Sequence, residues 1–178
     1  MSQPAWYRNP EMIIALSALV VSLFTVFVGA YSAWVDRAYA RAAVWPRLEM
    51  GQSYAPGRFG YFVSNRGTGP ALIKTVRMTV NGQPMRDWSA VLTAMGAGDR
   101  HYMQSQISRR TLSAGQDIQA FQTEDEAMIR LLTDASSPTT EVTLCYCSIY
   151  DQCWSVDQAN RPVEVGRCDL PDAEQFVQ

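Results

Sequence analysis

MIIALSALVVSLFTVFVGAYSAW, residues 12–34, contains no charged side chain. About 23 residues at 1.5 Å rise make a helix of roughly 34 Å, enough to cross a ~30 Å hydrocarbon core with modest tilt. Trp6 and Tyr7 precede it, and Tyr31, Trp34 and Tyr39 lie at its far end, where an interfacial aromatic belt would sit. A cleavable signal peptide is the competing reading, because Val28-Gly29-Ala30 loosely resembles a small-residue cleavage site. An h-region, however, usually runs about 7–15 residues behind a clearly basic n-region. Here the run is longer, and Arg8 is offset by Glu11. A buried helix this long and uncharged would need a much larger protein around it. The stretch therefore reads as a single transmembrane helix carrying one soluble domain.

Ala15, Ala18, Ser22, Thr25, Gly29 and Ser32 recur at alternating spacings of three and four, which places them on one helix face. Helices in lipid associate by close backbone approach and weak hydroxyl hydrogen bonds, and Ala18-x-x-x-Ser22 and Thr25-x-x-x-Gly29 are small-xxx-small pairs. This face is the candidate packing interface. No ionisable residue lies in the span, which argues against a proton relay, an ion path or a voltage sensor. Arg37, Arg41 and Arg47 follow the helix, against Arg8 and the terminal amine before it. Positive-inside counting places the domain on the cytoplasmic side of a bacterial inner membrane. The cysteines argue for the periplasmic side.

The net charge is −2 and Lys74 is the only lysine, so nucleic acid is not an expected partner. Cys145, Cys147, Cys153 and Cys168 form an even set in the last third of the chain. They can be two disulfides, with three connectivities open, buried free thiols, or a metal or redox site. Zinc knuckles space cysteines as C-x₂₋₄-C pairs, which C-x-C on a strand matches poorly. A thioredoxin-like C-x-x-C is absent.

The organisation follows as a short amino-terminal tail (1–11), the transmembrane helix (12–35), a juxtamembrane linker (36–46), a β-sandwich domain (47–168) and an acidic, loosely held tail (169–178). Within the domain, Arg47–Ser53 and Arg58–Ser64 read as strands, the second with Phe59, Tyr61 and Val63 on one face. Asn65 to Pro70 is a dense turn signal. Ala71–Val80 changes register near Lys74-Thr75, which predicts a bulge, and Asn81-Gly82 predicts a type I′ hairpin. Asp87 caps a short helix with Trp88, Val91, Leu92 and Met95 on one face, stopped by Gly96. Strands are expected at Tyr102–Ser108 and Gln116–Gln122. Thr123 to Glu126 is a capping-box pattern opening a second helix to about Leu132. Glu141–Tyr150 and Cys153–Asp157 form a hairpin, and Pro162–Gly166 adds an edge strand. The fold class is mainly β: an antiparallel, immunoglobulin-like sandwich with two short helices. An irregular α+β domain is the alternative.

The amino-terminal helix, Val44-Trp45-Pro46, Asn65 to Ala71, Asn81-Gly82, and Tyr146 to Trp154 together resemble a widespread group of bacterial single-pass membrane proteins. The resemblance implies a membrane anchor and a β-rich domain, and brings no assigned activity. Members often have a more basic run after the helix and lack these cysteines.

No catalytic constellation is visible. His101 is the only histidine and has no evident partner. Gly67-x-Gly69 leads into a strand rather than a helix, with no following lysine, and so is not a phosphate loop. Glu124, Asp125 and Glu126 fit the helix dipole better than a metal site. Trp45, Tyr150 and Trp154 are candidate interface aromatics. The leading expectation is a cofactor-free, non-catalytic accessory subunit of a respiratory, photosynthetic or transport complex, partnered by other integral-membrane subunits and the bilayer. A homo-oligomeric ligand-binding receptor, which needs a pocket, and a thiol redox protein are the alternatives.

Overall fold

The computed structural model describes residues 10–98, 100–134 and 138–177. Trp6, Tyr7 and Arg8 lie outside the described residues. The chain divides into two compact units, Met1–Ala42 and Ala43–Gln178.

The first unit is helix α1, Pro10–Ala43, with none of its side chains buried. Proline suits the first turn, where an N–H would be unpaired anyway, and Glu11 and Arg41 complement the helix dipole at opposite ends. The helix is long and apolar enough to cross a membrane once. It runs past the apolar stretch because Val35–Ala43 is rich in Ala and Arg, both strong helix formers. Most of the segment read as a juxtamembrane linker is therefore helical. Ser22 and Thr25 donate their hydroxyls to the carbonyls of Ala18 and Val21, at 2.7 and 2.8 Å, so these polar groups are satisfied within the helix.

The second unit is a β-sandwich-like domain of two antiparallel sheets. The first sheet joins β1 (Leu48–Ala55), β2 (Arg58–Asn65), β7 (Asp117–Thr123) and β5 (Met103–Gln104), in that order. The second runs β10 (Val163–Val165), β9 (Cys153–Asp157), β8 (Thr140–Cys147) and β3 (Ala71–Val80). The far edge of β3 is shared by β4 (Gln83–Pro84) and β6 (Thr111–Leu112), one at each end. Two short helices, α2 (Trp88–Ala94) and α3 (Glu126–Thr133), complete the domain.

The β3 register shift lies between Ile73 and Thr75, leaving Lys74 as the extra residue. Asn81 and Gly82 take φ of 49° and 78°, the left-handed pair that a type I′ turn requires. Asp87 caps α2 by accepting from the Ala90 N–H at 2.8 Å. For α3 the cap is Asp125, which accepts from Met128 N–H at 2.9 Å. Thr123, the first residue of the capping-box reading, instead accepts from the Asp125 N–H.

The core lies between the sheets and is continuous. Phe59, Val63, Ile118 and Phe121 enter from the first sheet, and Ile73, Val76, Met78, Leu144 and Tyr146 from the second. The final segment departs from expectation. The stretch read as a loose acidic tail forms a 3-10 turn at Asp172–Glu174 and buries Phe176 to 1% exposure. Phe176 N–H bonds the Val76 carbonyl at 2.8 Å, Ser108 Oγ donates to the Phe176 carbonyl at 3.0 Å, and Glu174 pairs with Arg77 at 2.8 Å. One buried aromatic supplies on the order of 2 kcal/mol, enough to seat a short strap.

Candidate functional site

Between the two sheets lies a partly open cavity of about 490 Å³. Met50, Gly51 and Gln52 of β1 and Tyr61, Phe62 and Val63 of β2 form one side. Val76 and Met78 of β3 and Thr140 and Val142 of β8 form the other. Trp88, Ile107, Ala120 and Phe176 supply more of the wall, and Gln158 a further polar group. Local irregularities shape it. Opposite Tyr61 and Phe62 the pairing with β7 skips one residue, Ala120, which lines the cavity. A Cβ on Gly51 would overlap the Phe62 ring, so the missing side chain lets that ring lie across β1.

The wall is held by ring contacts: Trp88 stacks with Tyr61 at 6.0 Å, meets Phe121 at 4.7 Å and takes Phe176 edge-on at 5.4 Å. Polar groups are few and gathered. The Tyr61 hydroxyl bonds Thr140 and Gln52; burial pushes its pKa above the ordinary phenol value, and those two bonds oppose the shift only in part. Trp88 is 4% exposed, and its indole N–H has no hydrogen-bond partner. A buried unpaired donor costs about 1–3 kcal/mol, which an acceptor on a bound molecule would recover if it could reach the nitrogen. Among the described residues the lining contains no His, Cys, Lys, Arg, Asp or Glu. The lining is mixed and somewhat more apolar than polar, with a phenol, a hydroxyl and amides as its side-chain hydrogen-bonding set.

The residues singled out from sequence fall elsewhere. The Ala15–Ser32 face, with Ala18, Ser22, Thr25 and Gly29, is exposed along α1, and a Cβ on Gly29 would meet nothing within 4 Å. Trp154 is buried and stacks on Tyr146 at 5.8 Å, making it a core residue rather than a surface aromatic. Tyr150 and Trp45 are 43% and 44% exposed. His101 is exposed, and its carbonyl accepts from the Thr123 hydroxyl.

Asn65 explains the glycine-rich turn. Its side chain accepts from the N–H groups of Arg47 (3.2 Å) and Gly67 (3.0 Å) and donates to the carbonyls of Gly69 (2.8 Å) and Leu112 (3.0 Å). Thr68 N–H bonds the Trp45 carbonyl at 2.9 Å. Cβ atoms on Gly67 or Gly69 would collide with the backbone of Val44 to Arg47. The turn clamps the start of the domain, and its amides are spent inside the fold.

The four cysteines are joined as Cys145–Cys168 and Cys147–Cys153. Leu144 and Tyr146 face the core, which puts Cys145 and Cys147 on the outer face of β8, with Cys153 directly opposite Cys147 on β9. No family model, curated protein or solved structure matches the chain. The cavity was not legible from sequence, although Gly51 inside a strand is the kind of signal that marks a close approach.

Proposed function

We propose that this protein is a membrane-anchored, non-catalytic binding module whose β domain takes a small, largely apolar ligand between its sheets. The cavity carries this reading: about 490 Å³, walls more apolar than polar, and convergent polar groups at Tyr61, Thr140 and Gln52. That size and lining fall within the range of small-molecule sites, about 300–1,000 Å³. The test is to purify the full chain from its native membrane into lipid nanodiscs and identify extracted small molecules by mass spectrometry. A stoichiometric apolar ligand should accompany the native protein. Val142→Trp, which narrows the chamber, should weaken its retention about tenfold or more, equivalent to about 1.4 kcal/mol. Failure to retain any ligand, or equal retention by the folded variant, would sink the proposal.

A second reading, the accessory subunit, is favoured by the small-residue face of α1. Gly29 has open space around it, so Gly29→Leu meets no other part of the chain, and Ser22→Leu gives up only the hydroxyl bond to the Ala18 carbonyl. If this face packs on another membrane helix, the double variant loses its co-purifying partner. Unchanged recovery of a partner would refute it.

We place the domain on the oxidising side of the membrane. Disulfides persist in such compartments and are rare in the cytosol. The opposing arginine count is weakened because Arg47 belongs to the folded domain and pairs with Glu49 at 3.2 Å.

A further inference from the structure

We propose that the four cysteines form a thiol–disulfide relay, in which an external dithiol reaches the buried Cys147–Cys153 bond through the outer Cys145–Cys168 bond. The two disulfides lie side by side. Cys147 Sγ is 3.8 Å from Cys168 Sγ, although these atoms belong to different bonds. The sulfurs of Cys147, Cys153 and Cys168 all lie within 4.8 Å of one another. Exposure differs between the pairs: Cys145 and Cys168 are half-buried, whereas Cys147 and Cys153 are 3% and 5% exposed. A reductant from solvent therefore meets the outer bond first.

Exchange proceeds by attack of a thiolate on a disulfide sulfur. One thiolate of the dithiol attacks Cys145 Sγ, forming a mixed disulfide and releasing Cys168 as thiolate. Cys168 Sγ then attacks its neighbour, Cys147 Sγ. The Cys147–Cys168 bond forms, the Cys147–Cys153 bond breaks, and Cys153 leaves as thiolate and takes up a proton. The second thiol of the dithiol attacks its own sulfur in the mixed disulfide and frees Cys145. Two electrons have moved: the dithiol is oxidised to its disulfide, and the protein holds one disulfide, Cys147–Cys168, and two thiols, Cys145 and Cys153. Cys147 and Cys145 lie two residues apart on the same strand face, and Cys168 Sγ already sits 3.8 Å from Cys147 Sγ, so Cys168 changes partner by closing that gap to the ~2 Å of a disulfide bond. The site thus takes dithiols, and it is separate from the cavity proposal.

The full-length protein in detergent is equilibrated with mixtures of reduced and oxidised dithiothreitol, quenched with acid, alkylated and mapped by peptide mass spectrometry. The expected two-electron species carries Cys147 joined to Cys168, with Cys145 and Cys153 alkylated. In the Cys145→Ser, Cys168→Ser double variant the relay is absent, and reduction of Cys147–Cys153 should slow about tenfold or more. An intermediate with Cys145 and Cys168 alkylated and Cys147–Cys153 intact would overturn the proposal. So would release of all four thiols with no two-electron species. The trapping of the native protein decides the matter even if the double variant does not fold.

Discussion

Asn65→Ala is the substitution whose cost can be worked most directly from the geometry. The residue is fully buried, and its side chain makes four hydrogen bonds to backbone groups of Arg47, Gly67, Gly69 and Leu112. Its own backbone bonds, N–H to Gln116 and carbonyl from Gly115, survive truncation. Two of the deserted partners, the carbonyls of Gly69 and Leu112, belong to buried residues, and stranding each costs about 1–3 kcal/mol. The N–H groups of Arg47 and Gly67 belong to residues that reach solvent and regain water, so each loses only about 0.5–1 kcal/mol. The sum is on the order of 4 kcal/mol, a large share of the ~5–15 kcal/mol typical of a whole domain. Urea unfolding of the full chain in detergent, with disulfides intact, should show a midpoint lower by roughly 2 M at an m-value of about 2 kcal/mol/M. Asn65→Asp provides a second check. It keeps the acceptor but points a carboxylate at two carbonyls, so it should be at least as damaging at neutral pH and partly recover in acid, as protonation restores a donor. A loss below about 1 kcal/mol for Asn65→Ala would show that the clamp is not what holds the turn.

Two further outcomes follow from the same structure. The N–H of Met128 and then the Arg100 guanidinium hold the Asp125 carboxyl below the usual range, against an opposing desolvation effect. A depressed folded value means that its contribution is present above the unfolded pKa of about 3.9 and is lost as pH falls through the folded one. The thermal-stability gap between native protein and Asp125→Ala should therefore narrow between pH 6 and pH 2.5, and a constant gap would refute the assignment. Fused to the carboxyl end, a reporter enzyme active only in the oxidising compartment should be active if the domain lies there; activity of a cytoplasmic reporter alone would reverse the placement.

Features governed by neighbours in sequence were legible in the chain itself. The uncharged run of residues 12–34 is long enough to cross a bilayer, where a lone segment satisfies its backbone polar groups only as a helix. Asn81-Gly82, the Lys74 bulge and the Asp87 cap each follow from two to ten adjacent residues. Strand pairing between distant segments was not legible. Nothing local places β7 between β2 and β5, or shares one edge of β3 between β4 and β6. The cavity is a property of that partition, since its wall draws on residues from Met50 to Phe176. For the same reason the cysteine spacing left three connectivities open, and only the placement of β8, β9 and Cys168 selects one.

The carboxyl-terminal segment was misread for a different reason, and that reason bears on function. Its composition is acidic with a proline, which outweighs a single Phe176 in any local reading, yet that one side chain closes part of the cavity wall against Trp88. The segment is fastened at both ends by contacts of different chemistry. Cys168 ties its start covalently to β8, whereas Phe176, Glu174 and the Val177 N–H tie its end by packing, an ion pair and a hydrogen bond. Moving Cys168 from Cys145 to Cys147 would therefore shift one fastening of a strap whose other end forms the cavity wall. The packed contacts at that end must then either hold against the displacement or give way with it. The cavity and the cysteine cluster are thus linked through one short segment, even though no side chain belongs to both.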